Sequence, residues 1–433
     1  MPDEDKGPVV AVIGGGPAGL MAAGTAAARG ATVFLFEKKQ SCGLKLLITG
    51  SGRCNVTNSA PRAEFLEHYP ENGKFLYPAY KTFFVDELKT FFRRYNLTLI
   101  LEDNGKYFPE TQSARSVLDI LLKYGKEQHV TFQTHEPVEN ITRTARRWTV
   151  QTAQNSYQAD AVIMATGGLS YPRTGSDGDG YRIAASLSHK LVAPRPALVP
   201  LEVANFDCAA ISGISLADVV IELRERIADS ADRKIAVQRG SLLFTHFGVS
   251  GPAVLFISRW LPADFDQKAI AAKYELAIDL LPSLTASEIE RKLLPVFDQT
   301  PKRQLKNVLS RDFEIPHALA AKIMTFCELP EDILCQAVNR DYRKKLISAL
   351  KSFDLTIRKT RGYQEAMVTA GGISTKEINP RTMESKLHPG LYFAGEIIDI
   401  DGFTGGFNLQ AAFSTGYIAG KSAANRSLVI SEL

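Results

Sequence analysis

The stretch "VVAVIGGGPAGLMAAGTAAARGATVFLFE", Val9–Glu37, decides the fold. Val9–Ile13 is a continuous apolar, mostly β-branched run, the pattern of a strand buried on both faces of a parallel sheet. Gly14-Gly15-Gly16-Pro17-Ala18-Gly19 then satisfies G-x-G-x-x-G. From Pro17 to Arg29 the alanine-rich composition favours helix, with Pro17 tolerated in the first turn and Gly30 placed to end it. Ala31–Phe36 reads as a second strand, with Glu37 at its carboxyl end.

Each part of this unit has a physical task. Gly14 permits a tight turn, Gly16 lets the backbone approach a pyrophosphate, and Gly19 lets the helix sit close to the strand. Pro17 and Ala18 open the helix, whose N-terminus offers unpaired N–H groups and about half a positive charge to the phosphates. Glu37 stands 18 residues after Gly19, where an acid accepts hydrogen bonds from ribose hydroxyls and repels a 2′-phosphate. Strand, glycine turn, helix and acid together specify dinucleotide binding, and NADP is disfavoured at this site.

The segment after Glu37 separates FAD from NAD. An NAD dehydrogenase would run on into another helix and strand, whereas here the acid leads into "KKQSCGLKLLITGSGRCNVTN", residues 38–58. Beginning at Lys38, this polar loop is suited to wrap a longer cofactor, its backbone N–H groups and Arg53 meeting phosphate or flavin oxygens. A solvated surface loop is the alternative. A second segment, Ala161–Ala165, is a buried-strand run ending in Thr166-Gly167-Gly168, as in flavoproteins of the glutathione-reductase type. In a third, Leu391–Ala394 reads as strand, Gly395-Glu396 as turn and Asn408–Ala419 as helix. That helix opens at "TGGFNLQ", so Gly406, Asn408, Leu409 and Gln410 would face the flavin, and its N-terminus would stabilise negative charge there by about 0.3–2 kcal/mol. The cofactor expected is FAD.

Composition narrows the class further. An apolar fraction of 45% and a charged fraction of 23% are those of an ordinary globular protein, and 433 residues are too many for one core. A net charge of +4 with only short basic clusters gives no reason to expect a nucleic-acid partner. The N-terminus "MPDEDKG" is acidic, unlike a secretory signal, and the glycines after Ile13 argue against a membrane span. Five scattered cysteines fit reduced thiols in a cytoplasm, and the absence of CxxC and HxxxH patterns gives no metal site.

With these segments in hand, the chain resembles the BaiN-type bacterial flavoproteins, also called aminoacetone-oxidase-family FAD-binding enzymes. The resemblance rests on "GLKLLITGSGRCNVTN", "GGLSYPRTGSDGDGYRIAASLSH", "GSLLFTHFGVSGPAVL" and "VTAGGISTKEINPRTMESKLHPGLYFAGEIIDIDGFTGGFNLQAAFSTGYIAG", which span nearly the whole chain. Phe403 and Phe407 depart from the expected Pro and Tyr, and Phe403 bears on the substrate side.

The resemblance implies an α/β fold: a Rossmann-like FAD-binding domain of glutathione-reductase type, interrupted by a β-rich insert and a small helical subdomain. The domains expected are 1–195 for the first FAD-binding part, 196–281 for the β-rich insert and 282–352 for the helices; 353–433 returns through the insert to the FAD domain. Independently, "SLADVVIEL" and "KYELAIDLL" read as strands, and Thr285-x-x-Glu288 as a capping box. The resemblance further implies that Lys45, Gly52, Arg53 and Asn55 lie near the flavin and pyrophosphate. Val138 would touch the adenine through its backbone.

Three groups of residues invite chemical roles. Cys42 and Cys54 follow the fingerprint as a redox disulfide would, but 11 residues separate them, and two small packed thiols are the simpler account. His246 in "LLFTHFGVSGPA" is the acid/base candidate, and a structural histidine bonding the turn backbone is the alternative. Tyr171 in "LSYPRTG" is a second candidate for the same cleft, although Pro172 equally suggests a rigid turn.

The function expected is an FAD-dependent oxidoreductase, either an NAD(P)H-dependent reductase or of amine-oxidase type. It would move hydride between a small or medium organic substrate and flavin N5, with transient NAD(P)H or oxygen as redox partner. Two alternatives stand beside it: an FAD-dependent RNA-modifying enzyme and a non-catalytic flavin sensor. Only one dinucleotide fingerprint is present, so a second one for NAD(P)H is not expected.

Overall fold

A computed structural model describes residues 7–102, 104–144, 147–227, 231–266 and 273–426. The acidic N-terminal residues 1–6 lie outside the described residues. The chain divides into two compact units, one made of residues 1–196 and 367–433 and the other of 197–366.

The first unit is built on a five-stranded parallel sheet. Its order is Leu391–Phe393, Ala161–Met164, Val9–Ile13, Thr32–Glu37 and Thr131–Thr134. Val10 pairs with Ala161 on one side and Val33 on the other. Val10 to Ile13 and Ala161 to Met164 are buried throughout, which is why these strands show no polar alternation. The C-terminal strand joins by pairing Leu391 with Val162, so both chain ends contribute to one sheet.

Helix Pro17–Ala27 follows the first strand and packs along the C-terminal helix Phe407–Ala424. Two glycines on one face of the latter make the contact close. A Cβ at Gly416 would lie 2.3 Å from the Ala18 carbonyl oxygen, and one at Gly420 would lie 2.3 Å from that of Ala22. Residues four apart on a helix share a face, so these glycines form a flat strip on which the alanine-rich helix rests.

The second unit is a closed antiparallel barrel with helices inserted between its last two strands. The strands run in the order Leu201–Val203, Gly248–Ser250, Arg233–Thr245, Ser215–Glu225, Tyr274–Asp279 and Phe353–Thr360. Val219, Ile221 and Leu223 alternate inward along one strand, as a one-sided core demands. Helix Ala286–Gln299 begins with the capping box: Thr285 Oγ1 accepts the Glu288 N–H, and Glu288 accepts the Thr285 N–H at 2.8 Å. Three more helices, Leu305–Asp312, His317–Phe326 and Arg340–Lys351, precede the strand that closes the barrel.

Candidate functional site

The first strand, its glycine turn and the C-terminal helix converge on a cavity in the first unit. It encloses ≈ 1320 Å³ of empty space, mouth included.

The glycine turn forms one wall and provides a direct test of fit. Gly14, Gly16, Pro17 and Ala18 line the cavity. A Cβ on Gly16 would meet nothing within 4 Å, so that side of the backbone is open to a ligand. Gly19 lies behind the wall, where a Cβ would come 1.9 Å from the Gly14 carbonyl oxygen. The open and the crowded glycine match the two roles the fingerprint requires, ligand approach and strand–helix packing. The helix has no side-chain cap, which leaves its first-turn N–H groups for an anion.

Glu37 also lines the cavity, and its carboxylate accepts the N–H of Gly15 at 2.9 Å and of Lys39 at 2.8 Å. Burial raises its pKa above the ordinary value, against the opposing pull of those two N–H groups. A carboxylate has about four lone-pair sites, so two remain for ribose hydroxyls. Lys38 lines the same end and pairs with Asp177 and Asp179. Burial lowers the Lys38 pKa, but the two aspartates outweigh it and the net direction is up. Val138 is buried at this end as the first residue of strand Val138–Thr144.

Around Gly395 and Glu396 the wall is built from segments far apart in the chain. Lys45, on helix Leu44–Ile48, donates to Glu396 Oε2 at 2.6 Å, and Glu396 Oε1 accepts the Thr369 N–H at 2.8 Å. Thr369 Oγ1 in turn accepts the Leu169 N–H at 2.8 Å and fixes the loop that follows Thr166 and Gly167. Asn408 and Leu409 line the cavity at the start of the C-terminal helix. Asn408 donates to the Gly402 carbonyl at 2.6 Å and so holds the preceding loop in place.

Several expected site residues lie off the cavity wall. Gln410 is fully buried and accepts from Thr57 Oγ1 at 2.6 Å. Asn55, with its amide turned to satisfy both neighbours, accepts the Gly406 N–H at 3.0 Å and donates to the Thr57 carbonyl. Gln410, Asn55 and Gly406 anchor the helix start and the loop, and do not line the cavity. Gly52 and Arg53 stand outside it as well. The Arg53 guanidinium lies 4.0 Å from the centre of the Phe108 ring, donates to Gln112 at 2.6 Å and pairs with Glu102, contacts that together hold it aside. Conversely, Thr174, Ser176 and Glu136 line the cavity although the sequence pattern did not point to them. "RTGSDGDG" carried a signal for the first two, since glycines alternating with hydroxyl and acid groups favour a backbone that folds over a ligand.

The two acid/base candidates sit in different settings. Tyr171 adopts a left-handed backbone, φ 54° and ψ 59°, just before Pro172, and its carbonyl accepts the Thr174 N–H at 2.8 Å. Such a conformation costs about 1–3 kcal/mol and marks a turn held by its surroundings. His246 is exposed at the turn after strand Arg233–Thr245 in the second unit, its ring 5.0 Å from that of Phe247. The cavity's lining residues all belong to the first unit.

Cys42 and Cys54 are free and buried. Burial pushes both thiols up to about 12, with Glu37 adding to the effect at Cys42. Among the described residues there is no cluster of His, Cys, Asp or Glu that would hold a metal ion. No helix among them is long and apolar enough to cross a membrane.

A parallel sheet with an open glycine turn, an acid at the second strand and an uncapped helix at the far wall is the geometry of a dinucleotide site, and by its family the chain is an FAD-dependent oxidoreductase. The chain belongs to the family described as the HI0933-like protein Rossmann domain, whose model matches residues 8–422, and it is a BaiN-type flavoprotein with FAD as cofactor. It is 34% identical over 421 residues to the 3-dehydro-bile acid delta(4,6)-reductase of Clostridium scindens, covering 96% of this chain and 99% of that one. It is 31% identical over 415 residues to the ribosomal RNA dihydrouridine synthase of Haemophilus influenzae, covering 94% and 96%. The protein of the same name from Escherichia coli is 30% identical over 94% of this chain and 95% of its own length. Among solved structures, the 3-ketosteroid delta1-dehydrogenase of Sterolibacterium denitrificans aligns with a TM-score of 0.51 at 12% identity, covering 96% of this chain and 99% of that one. That likeness speaks for the fold alone.

Proposed function

We propose that this flavoprotein is a reductase that saturates a carbon–carbon double bond conjugated to a carbonyl group, with NADH or NADPH as electron donor. The observation that carries the proposal is its near-full-length likeness to relatives whose names denote that same bond change. A 3-dehydro bile acid with delta(4,6) unsaturation has a diene conjugated to its ketone. Dihydrouridine arises by saturating the double bond conjugated to a uracil carbonyl.

Bound FAD supplies the hydride chemistry. The chain's own residues bind, orient and hold charge. Gly14, Gly16, Pro17 and Ala18 would receive the pyrophosphate, and Glu37 and Val138 the adenosine. Thr166, Gly167, Gly395, Glu396, Asn408 and Leu409 would border the flavin. The N-terminus of helix Phe407–Ala424 favours negative charge at that wall. An accepting double bond takes hydride at the carbon remote from the carbonyl and a proton at the adjacent carbon. Tyr171, in the loop of the first unit that follows Gly167, is the candidate for that proton.

A second reading places the double bond in a uracil of ribosomal RNA, favoured by the two relatives so named. Anaerobic visible spectroscopy of the FAD-loaded protein tests both. NADH or NADPH is expected to bleach the flavin bands, and a 4-ene-3-ketosteroid to restore them. Restoration by ribosomal RNA and not by the steroid moves the substrate to RNA. Bleaching by aminoacetone with recovery only in air would make the protein an amine oxidase and overturn the proposal.

A further inference from the structure

The charged groups that line the FAD cavity fall into two sets. Glu37, Lys38, Glu136 and Asp179 form one, with Lys38 paired to Asp179 and the Glu136 N–H bonded to the Glu37 carbonyl. Lys45 and Glu396 form the other, an ion pair of 2.6 Å whose side chains are 21% and 22% exposed. Its partners are 351 residues apart in the chain.

We propose that the Lys45–Glu396 pair sets the reduction potential of the bound flavin, with Glu396 cancelling the positive charge that Lys45 alone would bring to the cavity. This rests on FAD occupying the cavity and does not depend on which substrate is reduced. FAD held there would accept one hydride, two electrons and one proton, from a nicotinamide, which would leave in its oxidised form. The one negative charge that this transfer adds would lie where Lys45 and Glu396 act on it, until a second proton neutralises it. A nearby cation stabilises that charge and a nearby anion destabilises it, more strongly than in water because the pair is mostly withdrawn from solvent.

Glu396 is held without Lys45, and the helix that carries Lys45 is held without Glu396. Glu396 Oε1 remains bonded to the Thr369 N–H, so removing Lys45 leaves a carboxylate fixed at the wall. Lys45 projects from a short helix anchored by buried Leu46 and by the Gly43 N–H on the Gly15 carbonyl at 2.9 Å. Glu396→Gln keeps an amide oxygen opposite Lys45 Nζ, so it removes the negative charge and leaves the ammonium at that wall.

The two substitutions accordingly shift the potential in opposite directions, which a merely structural pair would not do. The test is the midpoint potential at pH 7, measured by slow anaerobic reduction beside a reference dye, with no organic substrate present. Glu396→Gln keeps the shape and is expected to raise the potential by about 30 mV, a tenfold change in the two-electron equilibrium. Lys45→Met is expected to lower it by a similar amount and to weaken FAD binding, while Lys45→Arg matches the wild type. Shifts in the same direction, or none, overturn the proposal. Should Lys45→Met fail to retain FAD, Glu396→Gln decides alone, because any result but a rise refutes the idea. A wild-type flavin that no conjugated substrate reoxidises would remove the proposed function and leave this measurement standing.

Discussion

Thr57 Oγ1 donates to Gln410 Oε1 at 2.6 Å, a fully buried bond that ties the polar loop after the second strand to the first turns of the C-terminal helix. Gln410 also donates to Ser414 Oγ at 3.0 Å, and Ser414 to the Phe83 carbonyl at 2.7 Å, so the amide is satisfied at both ends. Leaving a buried partner unsatisfied costs about 1–3 kcal/mol. Gln410→Leu is expected to destabilise by that amount and to loosen the helix start. The check is thermal unfolding with and without FAD, and a double cycle with Thr57→Val should show the two changes to be non-additive.

Gly16 and Gly19 should respond differently to the same methyl group. At Gly16 the new Cβ enters open space at the cavity wall, so Gly16→Ala should fold normally and lose FAD affinity by at least tenfold. At Gly19 the Cβ meets the Gly14 carbonyl oxygen, so Gly19→Ala should lower the melting temperature of the apoprotein itself. Equal melting temperatures for the two apoproteins would contradict the assignment.

His189 gives an acid-sensitive contact in the first unit. Its Nδ1 bonds to Glu377 at 3.1 Å and its Nε2 to Ser385 Oγ at 3.0 Å, with His388 nearby. Burial lowers the pKa, and although Glu377 opposes it the net direction is down. The unfolded chain therefore binds this proton more readily than the folded one, and the stability contribution is intact above the unfolded value of about 6.5 and lost as pH falls below it. Melting temperature should drop between about pH 7.5 and 5.5, and His189→Gln should flatten that slope while lowering stability at pH 7.5. An unchanged slope would exclude His189 as the source.

Cys42 and Cys54 should be silent toward thiol reagents in the folded protein. The thiolate is the reactive form, and thiols pushed up to about 12 hold almost none of it near neutral pH. The Cys42→Ser, Cys54→Ser double variant should keep the wild-type rate of flavin reduction by NADH or NADPH. Loss of reduction in a folded, FAD-loaded double variant would restore the disulfide idea.

Much of the first unit was legible because its signals are local. The run Val9–Ile13, the glycine turn and the alanine-rich helix are written in consecutive residues, and the observed strand and helix begin where the pattern places them. Helix ends were less legible: the last helix runs Phe407–Ala424 where the sequence suggested Asn408–Ala419. Its continuation rests on packing of Gly416 and Gly420 against a helix at the opposite end of the chain, which no local propensity reports.

Local sequence was enough to specify the parallel-sheet class and the dinucleotide fingerprint, because burial on two faces and glycine chemistry leave short-range marks. The reach of the polar loop into the cavity was settled instead by long-range packing. Lys45 faces the cavity and meets Glu396, while Arg53 is drawn onto Phe108 and Asn55 onto Gly406. Those outcomes depend on partners far away along the chain. A cation in a glycine-rich loop goes to whichever ring or carboxylate the fold brings nearest, and a local pattern carries no information about that distance.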